Sequence, residues 1–88
     1  MNIEIWNNLN VNEQKEFKLK LEKKILKQTY EIDQLVRIAP WCKDKFRLAA
    51  IIEIPSWDKN SVRCQYIDAF GLSQPPFQAN KGNLEVIK

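Results

Sequence analysis

The sequence predicts an α+β domain, with a long N-terminal amphipathic helix packed on a three- to four-stranded antiparallel β-meander. Three observations lead there. Residues 10–39 carry apolar side chains at helical spacing among Lys, Glu and Gln. Residues 46–88 hold short β-branched runs separated by turn chemistry. The chain has 88 residues, which is one domain, helical over 10–39 and β over 46–88.

The opening NIEIW alternates Ile3 and Ile5 against Asn2 and Glu4, the period of a short strand. It also sets Trp6 and Leu9 on one helical face, and the turn-like NNLN that follows favours a helical or irregular start. NVNE, from Asn10, is a capping signature: the Asn10 side chain accepts from the amide three residues on while Glu13 reaches back. Beyond it, Phe17, Leu21, Ile25, Ile32, Leu35 and Val36 fall within about 100° of helical arc. Pro40 stops the helix by pushing Ala39 out of the α region. A helix from Val11 to Ile38 would be ~40 Å long, which leaves room for a break near Gln28–Tyr30.

WCKDKF then reads as a connector and RLAAIIEI as a strand apolar on both faces, ended by Pro55. DKNS, residues 58–61, is turn chemistry. Val62, Cys64 and Tyr66 alternate with Arg63 and Gln65 as a half-buried strand. DAFG, ending in Gly71, and NKGN, with Gly82 suited to positive φ, supply two further turns, and LEVIK alternates Leu84 and Val86.

A rival all-α reading places a helix-turn-helix at residues 61–85. Leu72-Ser73-Gln74-Pro75 and Leu84-Glu85 resemble the turn and second helix of the LysR-type regulators over some 15 residues. The resemblance implies a small DNA-binding transcriptional regulator that contacts duplex through Gln74 and Gln78. It departs at Ile67, where such motifs place a small Ala, and at Asn80-Lys81-Gly82, mid-helix, where Gly alone costs ~1 kcal/mol. Three consistent turns favour the meander.

The formal charge is +3, and its distribution is uneven. Residues 10–47 carry ten Lys or Arg against six acids, whereas residues 48–88 carry four of each. The start lacks a basic segment with an apolar run, and no stretch reaches membrane-spanning length. A cytoplasmic protein with two reduced thiols and no membrane partner is therefore expected. Asn, Lys and Ile make up 29 residues, the bias of an AT-rich genome such as a low-GC bacterium or its phages.

Little in the chain carries chemistry. It has no histidine, hence neither the commonest general base nor the commonest metal ligand. Cys42 and Cys64 alone do not make a zinc site, and two glycines cannot build a phosphate loop. Lys43 and Lys45 would lower the Cys42 thiol pKa if it were exposed. Neither enzymatic activity nor a cofactor is expected.

The helix offers more. Lys20, Lys23, Lys24 and Lys27 share an arc away from the main apolar stripe and could lie against phosphates, with Glu16–Lys20 as a stabilising pair. Leu19, Leu26 and Tyr30 form a second stripe, covered either by Trp6 and Leu9 or by a partner. Trp41 and Trp57 sit in connectors, where aromatics commonly anchor interfaces. The expected function is non-enzymatic protein binding, as a phage or mobile-element inhibitor of a host protein or nucleoprotein complex. Partner residues would be Leu19, Leu26, Tyr30, Trp41 and Trp57, nucleic-acid contact falls to the four lysines, and a homodimer is compatible.

Overall fold

The computed structural model describes residues 2–68 and 73–87. Two helices precede a five-stranded antiparallel sheet, so the α+β class holds with one strand more than expected. Helix α1 (Ile3–Asn8) is capped by Asn2, whose side chain accepts from the Ile5 amide at 3.0 Å. Helix α2 (Val11–Lys27) starts at the expected capping box: Asn10 accepts from the Glu13 amide and Glu13 accepts from the Asn10 amide. Gln14 donates to the Trp6 carbonyl at 3.0 Å and ties the two helices together. Trp6 packs edge-on against Phe17 and Phe46, with ring centroids 5.7 and 5.9 Å away.

The helix does not continue to Ile38. It ends at Lys27, and Leu35–Ile38 is strand β1. Val36 and Ile38 point inward and are buried, while Arg37 points out. Four residues are too few to separate period 2 from period 3.6, so Leu35 and Val36 also fitted the helical arc. Asp33, at φ 69°, turns the chain into β1; Asp is among the few residues that tolerate this left-handed conformation.

Strands β2 (Leu48–Glu53), β3 (Ser61–Tyr66) and β4 (Phe77–Asn80) follow as a meander. β2 is not covered on both faces: Ala49 and Ile51 are buried, but Ile52, at a register shift opposite β3, is exposed. The Asp58 turn forms as expected, with the Asn60 amide and the Ser61 hydroxyl both donating to its carboxylate. The DAFG turn extends into residues 69–71, outside those described, as is Leu72. Strands at 61–66, 77–80 and 84–86 occupy the segment where the rival reading needs two helices.

NKGN is not a hairpin turn and Gly82 does not take positive φ. Lys81–Asn83 is one 3-10 turn that leads into β5 (Leu84–Val86). β5 pairs with β1, so the sheet order is β4-β3-β2-β1-β5. Successive strands β4 and β5 therefore sit at opposite edges. In a flat sheet those edges lie ~19 Å apart, four spacings of ~4.8 Å. The chain from Asn80 to Leu84 spans ~14 Å at full extension. The sheet must curl into a partly open barrel. The 3-10 turn bridges its edges: the Lys81 amide donates to the Asn60 carbonyl at 2.8 Å, and the Ala39 amide donates to the Asn83 carbonyl at 2.9 Å.

Inside lie Val36, Ile38, Ala49, Ile51, Val62, Cys64, Tyr66, Leu84 and Val86. A smaller cluster of Leu21, Ile25 and Ala39, with Phe17, Trp41 and Cys42, joins α2 to the barrel beside β5 and the 3-10 turn.

Candidate interaction surface

At 100° per residue, Leu21 and Ile25 lie on the side of α2 opposite Leu19 and Leu26. The first two are buried against the barrel. Leu19 and Leu26 are 61% and 85% exposed. Trp6 and Leu9 do not cover them, since Trp6 is turned to Phe17 and Phe46. Lys15, Lys18, Lys20, Lys23 and Lys27, with Glu16 and Glu22 among them, all exposed, fall within about 100° of Leu19 on the same helix. Beside Leu26 a mostly apolar cleft of about 210 Å³ opens between α2 and the 3-10 turn, lined by Glu22, Ile25, Leu26 and Gly82.

The charges on this helix are unevenly engaged. Lys24 points away from the outer arc and its Nζ lies 2.7 Å from the Glu85 carboxylate on β5. Lys18 approaches Glu22 at 4.0 Å. The expected Glu16–Lys20 pair does not form, and among the described residues no ion pair engages Lys15, Lys20, Lys23 or Lys27. Of the four lysines singled out in the sequence, Lys20, Lys23 and Lys27 therefore remain available together and Lys24 does not. α2 holds six lysines and three glutamates, a net +3 that equals the whole chain's; the remaining residues balance at eight of each sign.

The connector aromatics divide differently. Tyr30 lies past the end of α2, not on its outer face. Its hydroxyl donates to the Lys81 carbonyl at 2.8 Å and accepts from Gln28 at 2.7 Å. Burial raises its pKa, against the Gln28 hydrogen bond. Trp41 packs in the cluster beneath α2 and donates from Nε1 to the Asn83 Oδ1 at 2.8 Å. Both side chains are half-buried and held in place by these hydrogen bonds. Trp57 is 80% exposed, but it stands on the β2–β3 connection, on a different element from Leu19 and Leu26.

Cys42 is half-buried in a cleft of about 200 Å³ between residues 42–44 and β4. Burial, then the Asp44 carboxylate, raises its thiol pKa, so the lysines beside it in sequence do not activate it. Cys64 is a core residue as expected, its thiol pushed up to about 11 by burial. Gln74 and Gln78, the expected duplex readers, are engaged within the fold. Gln74 accepts from Arg47 at 2.8 Å, and Gln78 donates to Ser61 at 2.7 Å and to Asp58 at 3.2 Å.

One residue that sequence reasoning missed organises this layer. β5 is an edge strand whose Leu84 carbonyl and Val86 amide point away from β1. The Gln28 carboxamide meets both: Nε2 donates to the Leu84 carbonyl, and Oε1 accepts from the Val86 amide at 2.9 Å. A single side chain thus stands where a further strand would pair and closes that edge. Nothing in the local sequence signals it, since its partners lie 56 and 58 residues away.

Comparison with protein-family models, with curated proteins and with solved structures returned no match to this chain. Among the described residues, no helix is long and apolar enough to cross a membrane.

Proposed function

We propose that the protein acts by stoichiometric binding of another protein, and that the outward face of α2 is its working surface. The observation that carries this is the exposure of Leu19 and Leu26, 61% and 85%, on the face of α2 turned away from the barrel. Single exposed leucines are ordinary. Two of them one heptad apart, ringed by charged side chains in which lysines outnumber glutamates and flanked by a mostly apolar cleft, have the layout of an interface centre and its polar rim.

Magnitudes bound what this face can supply. Burying each leucine contributes ~1.5–3 kcal/mol. Micromolar affinity requires about 8 kcal/mol. The leucines alone fall short, so the cleft and the lysines must contribute the remainder. An inhibitor or adaptor of a host protein needs no more chemistry than this. Phage or mobile-element origin is a matter of composition and has no bearing on this surface.

The test is to replace Leu19 and Leu26 together by Gln and compare capture of proteins from a low-GC bacterial lysate. Loss of the proteins held by the unchanged chain, with the melting temperature preserved, supports the assignment. Unchanged capture would remove it, and a collapse in stability would show the leucines to be core.

A further inference from the structure

We infer that the surface bound by α2 is an acidic protein surface carrying apolar side chains, and not a second copy of this chain, a duplex or a bilayer. The inference rests on the outward face of α2 being the working surface.

Charge complementarity carries it. All of the chain's net charge sits on one helix, and the remaining residues sum to zero. Lys15, Lys18, Lys20, Lys23 and Lys27 lie within about 100° of Leu19 against Glu16 and Glu22; Lys18 approaches Glu22 at 4.0 Å in solvent, and the other four lysines have no ion pair among the described residues. The outer face of α2 thus carries three more lysines than glutamates, while Lys24, where α2 meets β5, is paired with Glu85. Carboxylates on a partner would complete the outer set.

The arrangement disfavours the other occupants. Two copies meeting through this face would oppose two helices of charge +3. On a duplex, Leu19 and Leu26 would be pressed against phosphates at the centre of the contact. A bilayer-lying helix needs a continuous apolar face. The continuous stripe of α2, Phe17, Leu21 and Ile25, is already packed on the barrel. A protein surface alone offers both carboxylates for the rim and side chains for the leucines and the cleft of about 210 Å³ beside Leu26.

The experiment uses the full chain and four probes, with affinity from fluorescence anisotropy and mapping from amide chemical shifts. The probes are a synthetic amphipathic helix with leucines at i and i+7 flanked by glutamates, its twin with glutamine for every glutamate, a short DNA duplex, and phosphatidylcholine–phosphatidylglycerol vesicles. The acidic helix should bind, shift amides of residues 15–27, weaken as salt rises, and exceed its twin by about tenfold or more. Lys20→Glu should weaken it several-fold, while Lys59→Glu, the same charge change on the β2–β3 connection, should not. Equal binding of the twin, no binding of the acidic helix, tighter binding of duplex or vesicles, or a dimer abolished by changing Leu19 would each overturn the inference.

The two readings fail separately. If the leucine variant loses its captured proteins but Lys20→Glu and high salt do not release them, α2 stands as the working surface and the acidic partner falls. If the leucine variant captures normally, both fall.

Discussion

Helix α2 carries two pairs of apolar residues in opposite circumstances. Leu21 and Ile25 are buried, and Leu19 and Leu26, two positions before and one after in the chain, face solvent. Residue type does not separate them. The position of β5 and the 3-10 turn does, because only one side of the helix has a barrel to meet. An apolar side chain on the first side is part of the fold, and one on the second is available for other contacts.

The contrast can be pressed from the inside first. The phenol of Tyr66 is pushed up to about 12 by burial and by its hydrogen bond to Asp44, and the Cys64 thiol is pushed up to about 11 by burial. Both folded values are raised, so these groups contribute their full stability below their ordinary values of 10 and 9. That contribution is lost as pH rises through the folded values. The loss is on the order of a few kcal/mol by about pH 12, a large share of the stability of a small domain. Urea midpoints measured from pH 8 upward should fall steadily from about pH 9, and a flat profile would contradict the packing of this core.

Leu21→Ala should be next in size, costing ~2–5 kcal/mol through the cavity left between α2 and Ala39. Gln28→Ala should cost ~1–3 kcal/mol, because the Leu84 carbonyl and Val86 amide lose their partner. It should also leave β5 an open edge, visible as concentration-dependent association. A stability unchanged within error would mean that water replaces the carboxamide without loss. The smallest effect belongs outside: Leu19→Gln with Leu26→Gln should move stability by less than about 0.5 kcal/mol per site. A larger shift by calorimetry would erase the distinction between the two faces of α2.

Much of the local structure was legible. The Asn10–Glu13 capping box, the Asp58 turn and the alternation of Val62, Cys64 and Tyr66 each depend on groups a few residues apart, and each formed as read. The outer position of Leu19 and Leu26 followed from helical geometry. What escaped were features whose partners are distant in the chain. The hydrogen bonds that hold Tyr30 and Trp41 were not legible because their acceptors, the Lys81 carbonyl and the Asn83 side chain, are 51 and 42 residues away. NKGN looked like a hairpin turn because its composition suits one, yet it leads from one edge of the sheet to the other.

The end of α2 shows the division most clearly. By itself the sequence determined that a capped, lysine-rich amphipathic helix starts at Val11 and that β-structure follows, because caps, turns and periodicity act over three or four residues. It offered a break near Gln28–Tyr30, where the helix does end, but did not require one, since neither Gly nor Pro follows Lys27 and the apolar spacing runs on. Only the tertiary structure decided that Val36 belongs to a strand and Gln28 to the barrel's edge. The reason is physical: a sheet closes through hydrogen bonds between segments some fifty residues apart, and no short window contains both partners.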